Sequence, residues 1–205
     1  MQEFKEFPKI ARFSREVIVT EKIDGTNACI FISEDGHEFL TGSRTRWITP
    51  ESDNYGFSRW AHEHHIELME LGPGLHFGEW WGGGCQRGYD LQKGEKRFSM
   101  FNVIRWCLHN EEPQQIPCGD PRVVKIQSVL PECVGLVPVL WRGNFEYLPL
   151  NQILGDLQLF GSQAAPDYMN PEGVVIFHLA GCVGFKKTFV KDDEPKSKRV
   201  AEEVK

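Results

Sequence analysis

The chain has 205 residues, a formal net charge of −6, and 40% hydrophobic and 25% charged residues, the composition of an ordinary globular protein. That balance excludes a binder relying on bulk positive charge, although a local basic groove depends on arrangement and not on the sum. No apolar run approaches the ~20 residues of a membrane span, and "MQEFKEFPKI" has no apolar signal core. The six cysteines (Cys29, Cys85, Cys107, Cys118, Cys133, Cys182) form no CxxC pair, so reduced thiols in a cytoplasmic protein are expected.

The first forty residues read as strands: "EVIVTEKI", then "NACIFISE", a turn at Asp35–Gly36, and "HEFLTGS". "TPESDNYG" is a loop of turn formers. In "FSRWAHEHHIELMEL" the residues Phe57, Trp60, Ala61, His64, Leu68 and Leu71 share one helical face, with Ser58 placed to cap the start and "GPG" ending the run. "LHFGEWW" reads as a strand stopped by Gly82, Gly83 and Gly84, and "RFSMFNVIRW" as another. Pro113, Pro117 and Pro121 mark a loop over 109–122. "NQILGDLQLFGSQ" predicts a short helix capped by Asn151, and "GVVIFHLAGCVGFKKTF" a hairpin turning near Ala180–Gly181. "DDEPKSKRVAEEVK" is a polar tail. Strands dominate without βαβ alternation, which predicts an α+β fold of mainly antiparallel sheets with flanking helices. No linker separates two cores, so residues 1–190 are expected to form one domain, followed by the tail at 191–205.

The chemistry lies in charged or aromatic residues set into apolar segments. Lys22 stands in "EKIDG", Arg44 in "GSRTR", Glu79 in "HFGEWWG", Phe101 in "RFSMFNV", Glu172 in "PEGVVIF", and Lys186 and Lys187 in "VGFKKTF". KxDG by itself is weak and fits a strand-turn with a solvated lysine better than a site. Buried charges, however, are costly unless paired, so six such segments imply that these groups converge. A lysine that loses its proton in a dry site beside other cations is a nucleophile toward phosphorus. Arg44 and Lys186 offer charge to phosphate oxygens, and a metal near Glu172 adds more. Glu79 can accept from ribose hydroxyls, and Phe101 can stack on a purine.

The ordered set KIDG, SRTR, FGEWWG, FSMFN, EGVVIF and FKKTF, spanning Glu21 to Lys187, resembles the covalent nucleotidyltransferases. Within that superfamily it is most similar to the ATP-dependent RNA ligases, in particular the compact ligases common in bacteriophages. The resemblance implies the ligase adenylation (nucleotidyltransferase) fold, unrelated to ATP-grasp, with ATP and Mg²⁺ or Mn²⁺ as cofactors. It implies nucleic-acid ends as partners, RNA before DNA, and in one version a protein partner that grips the nucleic acid. Lys22 would carry AMP, with Asp24 and Gly25 completing its motif. Arg44 would contact the ribose or the incoming phosphate end, Glu79 the ribose, and Phe101 the adenine. Glu172 would help bind the metal, Lys186 the α-phosphate, and Glu21 and Asn27 the base and the phosphate end.

There are departures. "FKK" stands where many ligases have KxK; Lys186 is expected on the phosphate, with Lys187 pointing to the other side of its strand. Asn102 follows the stacking Phe where Asp is usual. The chain ends soon after FKK, so an appended OB-fold or helical domain is not expected. The rival readings are a DNA ligase or GTP-using capping enzyme, and a nucleotide- or RNA-end-binding module without turnover. His62 and His65 are expected to be surface or packing histidines and not to bind metal. Trp80, Trp81 and Trp106 are expected mainly in core or rim, and Cys85 in packing. Gly82 to Gly84 are no P-loop and are read as letting the backbone pass close to substrate.

Overall fold

The computed structural model describes residues 4, 7, 10–101, 130–190 and 192. The expectations for Asn102, Trp106, Cys107, Cys118, the loop over 109–122 and nearly all of the tail lie outside the described residues. In chain order the strands are β1 Glu16–Lys22, β2 Thr26–Ile32, β3 Phe39–Ser43, β4 Trp47–Ile48, β5 Gly74–Gly82, β6 Lys96–Met100, β7 Val134–Leu136, β8 Val139–Asn144, β9 Gly173–His178 and β10 Val183–Thr188. The helices are α1 Phe57–Glu63, α2 His65–Leu68 and α3 Leu150–Phe160.

Two sheets result, ordered β10-β9-β1-β8 and β4-β3-β2-β5-β6-β7. Every pairing is antiparallel except β6 with β7, which agrees with the expected mixed, mainly antiparallel architecture. β1 is a central strand; Val17, Ile18 and Val19 are all buried, so it reads as a continuous apolar run and not as an alternation. β4, β7 and β8 were not anticipated. All three lie at sheet edges, and β8 has no buried residue, so the two-residue burial rhythm is absent there.

The expected helix over 57–71 is broken at His64 (φ −100°, ψ 18°), giving α1 and α2. Ser58 is not its cap: it is buried inside α1, its hydroxyl 2.8 Å from that of Thr41. Asp53 performs the capping instead, accepting the N–H of Ser58 at 2.8 Å and of Arg59 at 3.1 Å. Asp53→Ala is therefore expected to lower Tm by about 3–6 °C, corresponding to a cap worth ~1–2 kcal/mol, whereas an unchanged Tm would show that these bonds add nothing. In α3, Pro149 is the N-terminal boundary residue, so Asn151 sits in the first turn and does not cap it.

One core packs Ala28, Ile30, Ile32, Phe57, Trp80 and Phe98 between the larger sheet and α1. A second joins Val17, Val19, Val174 and Ile176 to Ile153 and Leu157 of α3. A third gathers Ile23, Trp81, Tyr89, Val137, Ala165 and Tyr168 where the chain passes between the sheets. Of the three glycines that close β5, Gly82 and Gly83 admit close approach of the chain itself, where a Cβ would lie 2.5 Å from the Glu95 and 1.8 Å from the Gln92 carbonyl oxygen, while a Cβ at Gly84 would meet nothing within 4 Å. Cys29, Cys85 and Cys133 are free thiols. Cys182 is disulfide-bonded, which departs from the expectation of reduced thiols throughout.

Candidate active site

"KIDG" is a crossover and not a hairpin. β1 ends at Lys22 in the smaller sheet, Ile23 enters the third core, and β2 begins in the larger sheet at Thr26. Lys22 therefore lies where the two sheets meet. It pairs across with Gly173, and the residue before that glycine is Glu172. The Lys22 Nζ donates to Glu172 Oε2 at 2.6 Å, with side chains only 19% and 8% exposed. So dry a pair persists because each charge satisfies the other.

Register assigns the neighbouring lysines. Lys186 lies opposite Val175, and Val175 opposite Thr20, two residues before Lys22. Cross-strand partners share a face and residues two apart share a face, so Lys186 stands on the Lys22 side of the sheet. Lys187 lies opposite Val174, in the core under α3, and its Nζ binds Asp192 at 2.8 Å. The geometry thus favours Lys186 over Lys187. Glu21 alternates away from Lys22 and is 1% exposed. Its carboxylate accepts the Ser162 hydroxyl at 2.5 Å and the N–H groups of Gln163 and Ala164 at 2.8 and 3.0 Å. It anchors the loop after α3.

From the larger sheet, Glu79 faces the crossover. Its Oε1 accepts the Gly25 N–H at 3.0 Å and its Oε2 the Asn27 amide at 3.4 Å. Burial pushes its carboxyl up to about 7, opposed by the Gly25 N–H and the Lys22 charge. A carboxyl raised from 4.5 holds its proton more tightly folded than unfolded, so Glu79 subtracts stability as pH rises from about 5 to 8. Glu79→Gln is expected to flatten a pH-dependent loss on the order of 3 kcal/mol. Denaturant melts of both proteins at pH 5.5 and 8 check this; parallel behaviour would contradict the assignment.

Two contributors were not singled out from sequence. Arg87 Nε donates to Asp24 Oδ2 at 3.0 Å, and its Nη1 reaches the backbone and side-chain oxygens of Asn170 at 2.9 and 3.0 Å. Tyr89 accepts the Asp24 N–H at 2.7 Å from a left-handed backbone position (φ 53°). Together they tie the loop after β5 to the crossover and to the segment before Glu172. The only signal in "CQRGYD" was a glycine beside an arginine; partners more than sixty residues away leave no pattern in spacing.

Arg44 lies exposed in the β3–β4 turn, without an ion pair among the described residues. Strand alternation from Gly42 places it on the Asn27 and Glu79 side. Phe101 follows the last residue of β6, donates its N–H to the Phe77 carbonyl at 3.0 Å, and packs half-buried against the third core. His62 and His65 pack edge-on against Phe39. No group of three or more His, Cys, Asp or Glu that could hold a metal occurs among the described residues.

The profile of the RNA ligase family matches residues 15–191. The chain belongs to the RNA ligase family. No curated protein sequence matches it. Among solved structures, a Naegleria gruberi RNA ligase variant with ATP and Mn is similar with a TM-score of 0.57 at 19% identity, over 85% of this chain and 49% of that one. The Naegleria gruberi enzyme with PPi matches at 0.56 and 16% identity, over 94% and 53%. A further variant, with AMP and Mn, matches at 0.56 and 17%, over 86% and 50%. The likeness is one of fold, and this chain spans about half the length of those structures.

Proposed function

We propose that residues 1–190 form the adenylation unit of an ATP-dependent RNA ligase of nucleotidyltransferase fold, with Lys22 as the residue that carries AMP. The observation behind this reading is the 2.6 Å Lys22–Glu172 pair at the junction of the sheets, with Glu79 facing the same crossover. The Naegleria ligase structures with ATP, AMP and PPi support the choice of nucleotide.

Lys22 Nζ, freed of its proton, attacks the α-phosphorus of ATP. An N–P bond forms, the bond to the bridging β-phosphate oxygen breaks, and pyrophosphate leaves with the electron pair. An oxygen of an RNA 5′-phosphate then attacks the same phosphorus and the N–P bond breaks, so Lys22 recovers its proton. Last, a 3′-hydroxyl attacks the activated 5′-phosphate and AMP departs. Glu172 holds Lys22 at the crossover before attack, and the pair has to open for Nζ to reach phosphorus. Lys186 and Arg44 neutralise phosphate oxygens, Glu79 receives the ribose hydroxyls, and Asp24 fixes the crossover through Arg87 and Tyr89. Asn27 lies on the phosphate-end side, and Phe101 offers its ring to adenine.

A single nearly buried carboxylate, Glu172, beside the phosphate position suits Mg²⁺ or Mn²⁺, which accept one or two carboxylates and complete their shell with phosphates and water. Such an ion supplies charge neutralisation on the phosphates.

Incubation with α-labelled ATP and Mg²⁺ or Mn²⁺ is expected to leave label on the protein, and a panel of 5′-phosphorylated ends to show RNA sealed before DNA. ATP binding with no adduct would favour the module without turnover. Labelling by GTP in place of ATP would favour a capping-type enzyme.

A further inference from the structure

We propose that the Trp47 indole is a stacking platform for a nucleobase near the phosphate-bearing end of the RNA, an inference that rests on the ligase reading above. In the larger sheet Trp47 lies opposite Gly42, Gly42 opposite Cys29, and Cys29 opposite Phe77. Alternation carries that row to Asn27 and Glu79, so Trp47 shares the face of the site, while the other face is closed by α1.

The platform is built into the sheet. Gly42 leaves room for the ring: a Cβ there would lie 3.1 and 3.2 Å from two Trp47 ring carbons and 2.6 Å from Cys29 Sγ. Phe31 holds the indole from the side, with centroids 6.2 Å apart and rings tilted by 53°. One ring face thus rests on the sheet, yet the residue remains 51% exposed, which leaves the outer face for a ligand.

Charge and position select the occupant. The turn leading into Trp47 carries Arg44, exposed, on the Trp47 face by alternation from Gly42 and without an ion pair among the described residues. Arg46, opposite Ser43, alternates to the α1 face, where its guanidinium donates to the Ser52 hydroxyl at 3.1 Å. A cation, Arg44, on the same face as an open aromatic ring matches a phosphate next to a stacked base. The base is not the adenine of ATP. Phe101 lies on the β6 side of Glu79, whereas Trp47 lies on the opposite side, about 14 Å away at three strand spacings. A nucleotide with its ribose at Glu79 and its base near Phe101 points away from Trp47. A second nucleotide, whose phosphate end reaches Arg44, is the one that brings a base over the indole.

The test uses the full chain and a 5′-phosphorylated 12-nucleotide RNA carrying 2-aminopurine at its first or second position. The wild-type protein should quench the probe. Trp47→Ala should abolish the quench and bind about 10-fold more weakly at fixed salt, and Trp47→Phe should retain most of both. Self-adenylation from ATP in each variant serves as the folding control. A wild-type protein that leaves the probe unquenched, or Trp47→Ala that quenches and binds like wild type, would overturn the proposal. So would a Trp47→Ala protein that changes from dimer to monomer, since a second copy would then cover this face. Absence of an AMP adduct in the wild-type protein, with quenching intact, would count against the ligase reading and leave the platform standing.

Discussion

Lys22→Met is expected to yield no covalent AMP adduct and also to destabilise the folded chain by about 3 kcal/mol, because it strands a buried carboxylate. Glu172 is 6% exposed, and its Oε2 has the Lys22 ammonium at 2.6 Å. Without that ammonium the charge either stays buried and uncompensated or takes up a proton. The loss should appear as a Tm lowered by about 6–12 °C. The double variant Lys22→Met with Glu172→Gln removes both charges and keeps the shapes, so it should regain most of the stability and none of the adduct. Lys22→Met as stable as wild type would contradict the pairing, and a double variant no better than the single would contradict its energetic origin.

Gly25→Ala is expected to cost about 3 kcal/mol or more, through overpacking and a lost hydrogen bond, and to slow adduct formation by about 100-fold. A Cβ at this position would lie 2.4 Å from the Trp80 carbonyl oxygen, 2.7 Å from Trp81 Cβ and 3.1 Å from Glu79 Cγ. Backbone and two core tryptophans cannot yield, so the crossover itself has to move. Moving it draws the Gly25 N–H from Glu79 Oε1, now 3.0 Å away, and shifts Lys22 three residues upstream. Thermal melts together with single-turnover labelling check this; a variant matching wild type in both would show that the crossover has room to spare.

These two cases also show what was legible in the sequence. β1, β5, β9 and the β9–β10 turn follow from runs of Val, Ile, Phe and Trp closed by glycines, because central strands bury both faces. β8 was not, since an edge strand with half-exposed residues on both faces has no rhythm to read. The helix over 57–71 was visible in its apolar face, but its break at His64 and its cap at Asp53 were not. Asp53 lies five residues before the first helical N–H it accepts, outside the usual cap position. Lys22, Glu79 and Glu172 stood out as charges in apolar strands. That Lys22 touches Glu172, 150 residues away, was beyond spacing; only β1–β9 register brings them together. Glu21 shows the opposite limit. Its place beside Lys22 pointed to ligand contact, yet strand alternation turns it away, to hold the loop at Ser162. Arg87 and Tyr89 gave no signal because their loop has no period and their partner Asp24 lies in another sheet connection.

Mass spectrometry of proteolytic peptides after incubation with ATP and Mg²⁺ or Mn²⁺ decides whether Lys22 carries AMP. The mass of one AMP is expected on the peptide holding "TEKIDG", localised to Lys22 by an acid-labile, base-stable phosphoramidate bond. An adduct on Lys186, Lys187 or any other residue, or ATP turned over with no adduct at all, would contradict it.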